Sequence, residues 1–236
     1  MYPPSSPSPS AWQPPLPLRP VRSLANLALG ALALDCLAGV ASAASDVWEV
    51  SVIDRLLTDP YSVSDAELDA SDLVYTGSAF VQKGTFVVAA VAFLVWLFRV
   101  RSNAELLAPD GHRHPRPWLV LAWAVPIVCW WYPKQLVDDI WAASRPAAPP
   151  RRLRVITAWW TLWVLTSAVT YVASRVLGQA DEVESLDDLE GLAVVAMADM
   201  GSVALWIVVA ALAASMIGRI TDAQEALTTR QVAVQL

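Results

Sequence analysis

Cysteine is nearly absent from this 236-residue chain, which holds only Cys36 and Cys129. Both fall inside apolar stretches, where a thiol packs as a small hydrophobe. Two cysteines at that separation form no disulfide framework and no metal-ligand spacing. Lysine is scarcer than arginine, two against fourteen, and alanine is abundant, a bias typical of GC-rich bacterial genomes. Charged residues make up 16% of the chain, too few to clothe a water-soluble domain. No Gly-rich phosphate loop, nucleophile elbow or H-E-x-x-H motif occurs. His112 and His114 make an H-x-H, but no third ligand type stands near, and with Arg113, Pro115 and Arg116 they read as a solvated loop. No internal repeat is evident, so the inverted-repeat pattern of many transporters is missing. These gaps leave no catalytic residue, no metal and no cofactor to expect, and the chain reads as something other than an enzyme.

What is present is apolar length. Hydrophobic residues reach 56% and the mean hydropathy is +0.46. Long apolar runs occupy Leu24 to Ala44, Val81 to Phe98, Val155 to Val176 and Leu192 to Ile217. About 20 helical residues cross a hydrocarbon core roughly 30 Å thick. The expectation is an all-α integral membrane fold with four transmembrane helices, at about 22–44, 78–99, 153–177 and 190–217. Residues 1–20 are Pro-rich and read as a disordered tail, either solvated or a docking arm. The membrane domain then covers 21–220, and 221–236 forms a C-terminal tail. Arg19 and Arg22 followed by an apolar run ending in Ala41-Ser42-Ala43 resemble a signal peptide. The run is too long for a signal core and Asp35 interrupts it, so it reads as a retained first helix.

Charge patterning supplies an orientation. Residues 45–80 form a loop with eight acids and one Arg, and 178–191 hold six acids and no base. By contrast Arg99, Arg101, Arg113 and Arg116 precede the Trp-rich stretch, and Lys134, Arg145, Arg151, Arg152 and Arg154 follow it. Basic short loops stay inside, which puts both ends of the chain in the cytoplasm of a plasma membrane. The stretch Pro117 to Tyr132 then has two cytoplasmic flanks, is too short to cross and is broken at Pro126, with Pro133 stopping it. It reads as re-entrant or interfacial, an element extending over 117–144 between the second and third spans. Within it Leu136, Val137, Ile140 and Trp141 share one helical face, leaving Asp138 and Asp139 off it, the pattern of a short helix lying in the interface. Ser64 with Glu67, and Ser185 with Asp188, have capping-box spacing, and Gly178 is a stop after the third span.

A longer set of residues carries a family likeness. Phe93-Leu94-Val95-Trp96-Leu97-Phe98-Arg99 leads to Arg101 and Asn103, and then come Trp123, Pro126, Trp131 and Pro133. Asp139, Ile140, Trp141 and Ser144 follow, Trp159-Trp160 with Trp163 open the next span, and Arg219, Ile220, Thr221 and Gln224 close the last. From about Val81 to Gln224 this resembles the domain-of-unknown-function 4328 family of bacterial membrane proteins. The Trp-Pro-Trp-Pro-Trp stretch is the most specific part, and the acidic loop 45–80 lies outside it. The resemblance implies a multi-helix membrane domain, commonly behind a Pro-rich tail, and no activity.

Two constellations stand out. Ionisable groups inside a span are costly and usually face the bundle interior. Asp35 lies about 20 Å along the first span and Asp199 about 12 Å down the last, at similar depth, with Lys83 entering the second. Asp35, Asp199 and Lys83 thus form a candidate polar cluster, either an interhelical tie or a proton or cation relay. Nine of the twelve tryptophans lie between Trp96 and Trp163. Headgroup anchoring accounts for Trp96, Trp118, Trp159 and Trp160 better than for Trp123, Trp130 and Trp131. Trp96, Arg99, Asn103, Trp123, Pro126, Trp131, Pro133 and Trp141 form a candidate aromatic and basic inner-leaflet pocket. The favoured role is a non-catalytic interaction, lipid-sensing or accessory protein. The alternative is an oligomeric transporter or channel component built on Asp35 and Asp199. Expected partners are the lipid bilayer and, through the tail, a protein; a homo-oligomer stays open, and no nucleic acid is expected.

Overall fold

The computed structural model describes residues 18–59, 61–145, 153–177 and 186–235. Among the described residues six α-helices follow in order: α1 Arg22–Thr58, α2 Asp65–Leu107, α3 Trp118–Ala124, α4 Tyr132–Ala143, α5 Arg154–Leu177 and α6 Leu186–Gln235. A single 3-10 turn, Val128–Trp130, sits between α3 and α4, and there is no strand among the described residues. Among the described residues four helices, α1, α2, α5 and α6, are long and apolar enough to cross a membrane. The fold is all-α and of the membrane type.

Their lengths depart from expectation. The 37, 43 and 50 residues of α1, α2 and α6 extend about 55, 65 and 75 Å, well beyond a core of roughly 30 Å. Most of the acidic stretch 45–80 is therefore helix and not loop. It forms the far end of an α1–α2 hairpin. Apart from Pro60, which falls between α1 and α2, nothing in it breaks a helix, and its carboxylates suit a solvated helical surface as well as a loop. The expected C-terminal tail is likewise a continuation of α6, and Thr221 and Gln224 within it are fully buried.

Local chemistry sets the hairpin's turn. Asp59 caps α1, its backbone N–H donating to the Arg55 carbonyl, and its carboxylate accepts from the Tyr61 N–H at 3.1 Å. Ser64 opens α2 as the spacing predicted, its hydroxyl accepting from the Glu67 N–H at 3.3 Å. The Glu67 carboxylate pairs with Arg55 across the turn. The counterpart cap at Ser185 and the stop at Gly178 lie outside the described residues, although α5 does end at Leu177.

Prolines shape the short elements between α2 and α5. Pro126 pushes Val125 into extended backbone at φ −79°, ψ 118°, so α3 ends at Ala124. Ile127 then turns the chain with φ 68°, a left-handed value that a β-branched residue rarely adopts. Pro133 does not stop the segment as expected; it sits in the first turn of α4, where a missing N–H costs nothing. Neither the 7-residue α3 nor the 12-residue α4 is long enough to cross a bilayer.

The core gathers where α1 begins and α2 ends. There α1 contributes Ala25 and Ala28, small residues that let helices approach closely, and α2 contributes Trp96, Leu97 and Val100. Leu119 of α3, Leu136, Val137 and Ile140 of α4, Trp159 and Trp160 of α5, and Met216, Ile217 and Ile220 of α6 complete it. The apolar face of α4 thus packs on protein, not on lipid. Outward, α2 exposes Phe80, Phe86, Val87, Val91 and Val95, a surface suited to acyl chains.

Candidate functional site

A buried polar knot lies at the end of the bundle where α1 starts. Asn103, one turn from the end of α2, is buried and grips the peptide of Arg19 from both sides. Its carbonyl accepts from the Arg19 N–H at 3.0 Å, and its amide donates to the Arg19 carbonyl at 2.8 Å. The same amide donates to Gln224 Oε1 of α6 at 3.0 Å. Gln224 in turn donates to the Val100 carbonyl at 3.0 Å and to Ser144 Oγ, just past α4, at 3.1 Å. One turn earlier on α6, Thr221 accepts from Trp96 Nε1 at 3.2 Å. Arg99 holds the Pro20 carbonyl at 2.9 Å, and Arg22 pairs with Asp222 at 2.8 Å and with Glu225. Buried amides persist only when their hydrogen bonds are made, and here each bond joins a different element. The knot therefore fixes the root of the N-terminal arm to α2, α4 and α6 together.

Beside it the connection from α2 to α3 is pinned by charge. Arg101 donates to Glu105 at 2.9 Å and to the His114 carbonyl at 2.7 Å, and Arg116 holds the other oxygen of Glu105 at 2.8 Å. Asp139, expected to lie off the packed face of α4, is buried instead. It accepts from the Arg113 N–H at 3.0 Å and from Arg113 Nε at 2.8 Å. That pairing is what makes its burial tolerable. Nor do the two histidines form a solvated loop. His114 stacks on Tyr132 at 4.0 Å and donates to Gln135 at 2.7 Å, while His112 is half-buried. An open depression of about 470 Å³ lies here, lined by Arg101, Glu105, Pro109, His112, Arg113, His114 and Pro115.

The eight residues of the expected aromatic and basic pocket are divided among several places. Trp96 and Trp123 join one aromatic cluster, in which the Trp123 ring meets Phe93, Trp159, Trp160 and Trp163 at 5.7–6.3 Å, mostly edge to face. Arg99 and Asn103 belong to the knot. Pro133 is buried in α4, and Trp141 is half-buried under the Arg145 guanidinium at 5.2 Å. Pro126 and Trp131 face outward. The anchoring assignment fails for three of its four tryptophans, Trp118 being half-buried. Trp96, Trp159 and Trp160 are buried and cannot reach headgroups, whereas Trp130 and Trp131 are 48% and 46% exposed. The rings of α5 are taken up by α3, which lays Trp123 against them.

Of the expected intramembrane cluster of Asp35, Asp199 and Lys83, no two are joined among the described residues. Asp35 accepts from Thr85 Oγ1 at 2.9 Å and from Gln82 Nε2 at 3.4 Å, which ties α1 to α2. No ion pair joins it to Lys83 among the described residues; Lys83 is exposed, its ammonium 5.8 Å from the Phe80 ring centroid. On α2, Gln82 and Thr85 present one face while Lys83 presents another. The side chain of Asp199 lies outside the described residues. Further out the same seam continues through Ser45 and Ser78 at 2.8 Å and through Glu49 with Ser71.

Sequence reasoning singled out Thr221, Ser144 and Gln224 only as parts of a likeness, placed Asn103 in the aromatic and basic pocket as well, and missed their mutual contact. Four uncharged polar residues next to apolar runs were the available signal. The family described as Domain of unknown function (DUF4328) matches residues 59–222, from the hairpin turn to the last helix. The match begins upstream of Val81 and takes in the outer half of α2. No curated protein and no solved structure matches the chain.

Proposed function

The chain belongs to the DUF4328 family, and from that premise we propose that it is a non-catalytic interaction or accessory protein of the plasma membrane. Its working part is the Pro-rich arm, presented from a rigid base. The observation that carries this reading is the clamp on Arg19, whose peptide is bonded on both sides by a buried asparagine. A docking arm whose root is already ordered loses less conformational freedom when a partner engages it.

Charge layout supports an orientation. Arg19, Arg22, Arg99, Arg101, Arg113 and Arg116 gather at the knotted end, while Asp54, Asp59, Asp65, Asp69 and Asp72 flank the hairpin turn. The positive-inside rule then sets the knot, the arm and the end of α6 in the cytoplasm. Trp130, Trp131 and Ile127, exposed on the turn between α3 and α4, suit the headgroup layer of the inner leaflet.

Single cysteines in a Cys36→Ala, Cys129→Ala background test the orientation. Positions 65–75 should react with an impermeant thiol reagent from outside, and 103–113 should not. External labelling at 103–113 would overturn the assignment. The arm is tested by crosslinking in native membranes, comparing the intact chain with one lacking residues 1–17 and with Asn103→Leu. Loss of the same crosslinked partner in both, at unchanged abundance, supports the reading; identical crosslinks in all three would sink it.

A transporter or channel component is the second reading, favoured by one observation. Beside Asp35, Gln82 Oε1 is buried without a hydrogen-bond partner, an acceptor open to a proton donor or a cation.

A further inference from the structure

The depression at the end of α2 contains buried polar atoms that the fold leaves unsatisfied. Arg101 is 2% exposed, and its Nε and Nη2 are bonded, yet Nη1 has no acceptor. Both ring nitrogens of His112 are buried as well, with the Ala104 carbonyl beside the ring but no well-formed hydrogen bond. A buried cationic donor with nothing to donate to is among the costlier arrangements in a protein, and native structures rarely keep one without use. The carboxylates nearby are already engaged. Glu105 has one oxygen on Arg101 and the other on Arg116, and both oxygens of Asp139 are on Arg113. A metal ion entering here would find no open carboxylate. Three guanidinium groups against two carboxylates leave an excess of positive charge before either histidine is protonated. What the depression lacks is an acceptor, and what it offers is donors from several directions.

We propose that this depression binds a phosphate group, the chemistry shared by inorganic phosphate and a phosphomonoester lipid headgroup. A tetrahedral anion has enough oxygens to accept from Arg101 Nη1, from His112 and from the half-exposed Arg113 together, which a planar carboxylate matches less well. The site goes beyond the interaction role proposed above. Its two sources of phosphate are told apart by where the probe is held. Burial, and then the positive charge of Arg101, hold the His112 imidazole below its ordinary range, against weaker opposing effects of the Ala104 carbonyl, Asp139 and Glu105. An arriving dianion acts against both effects and favours protonation of the ring. Arg101 and Glu105 of α2, Asp139 of α4 and the loop residues Arg113 and His114 are the charged or titratable groups around it. As the pH is lowered towards 6, protonation of the ring should offset part of the affinity lost when the phosphate itself takes up a proton.

The test uses the full chain in phosphatidylcholine nanodiscs, titrated with inorganic phosphate and followed by phosphorus NMR line broadening. A second arm compares phosphatidylcholine nanodiscs with and without phosphatidic acid by the lipid retained in native mass spectrometry. His112→Ala should weaken binding about tenfold and leave only the pH dependence of the anion's own titration, since it deletes a partner of the anion at the cost of one contact to the Ala104 carbonyl. Arg101→Gln should do the same but also loosens Glu105, so His112→Ala is the deciding variant. Arg145→Gln removes a charge outside the depression and should leave binding unchanged. Saturable binding of inorganic phosphate with this pattern supports the site as one for the free anion. The same pattern for phosphatidic acid alone supports a headgroup site. Saturation by neither, or equal losses in His112→Ala and Arg145→Gln, overturns the proposal.

Discussion

The two ends of the bundle hold polar residues in opposite ways. At the basic end Asn103, Gln224, Ser144 and Thr221 are buried and bonded to one another's helices, and even Asp139 and Arg101 are packed inside. At the acidic end α1 and α2 stand as a hairpin, and most of the carboxylates near its turn face outward. A buried hydrogen-bonded group resists removal because its partners lose their bonds with it, whereas an exposed charge is replaced by water. The contrast teaches that the basic end specifies the fold, and the acidic end carries charge on a scaffold that does not depend on it.

The sharpest way to break that comparison is Gln224→Leu. It deletes one acceptor and two donated bonds at the centre of the knot and strands Asn103 and the Val100 carbonyl. The expected cost is about 3 kcal/mol, read as a lower melting temperature in detergent, together with faster proteolysis of the N-terminal arm. An unchanged melting temperature would mean that the knot is not what joins α2 to α6.

Asp35→Asn should cost less. Asparagine keeps an oxygen for Thr85, and an interhelical polar contact in a membrane bundle contributes about 0.6–1.7 kcal/mol. A small loss of stability with unaltered cellular behaviour identifies a tie between α1 and α2. Loss of a cellular phenotype at full abundance identifies a charge that works, and would favour transport.

Acidification sharpens the comparison further. His112 has its folded pKa below the ordinary value, so the unfolded chain binds that proton more readily. The resulting contribution to stability is present above about pH 6.5 and is lost as the pH falls below it. Hydrogen exchange at pH 5.5 against pH 7.5 should therefore show loosening at residues 101–116 and little change near the hairpin turn. Protection lost at the turn first would contradict the assignment of His112 to the sensitive end.

The smallest effect belongs to Arg55→Ala. The residue is exposed, reaches the Ser51 carbonyl at 3.4 Å and pairs with Glu67 across the turn, where solvent screens the attraction. The melting temperature should stay within experimental error. A clear drop would show that the hairpin turn carries structural weight and would erase the distinction between the two ends.

Composition and short-range pattern account for the membrane class, the four apolar helices, the Ser64 cap and the chain break at Pro126. Each depends on composition or on residues within a few positions of one another, so a local window contains the cause. The tertiary structure alone decided how far α1, α2 and α6 run past the apolar core, because a charged surface helix and a loop look alike in composition. It also decided that Pro133 starts a helix, and that Trp96, Trp159 and Trp160 turn inward while Trp130 and Trp131 turn out. The knot is the clearest case. Asn103 meets Arg19 across 84 residues and Gln224 across 121, and a hydrogen bond between such distant positions has no local signature. Only the packing of α2 against α6 brings the amides to within 3 Å, and only there does an asparagine beside an apolar run become the lock on the N-terminal arm.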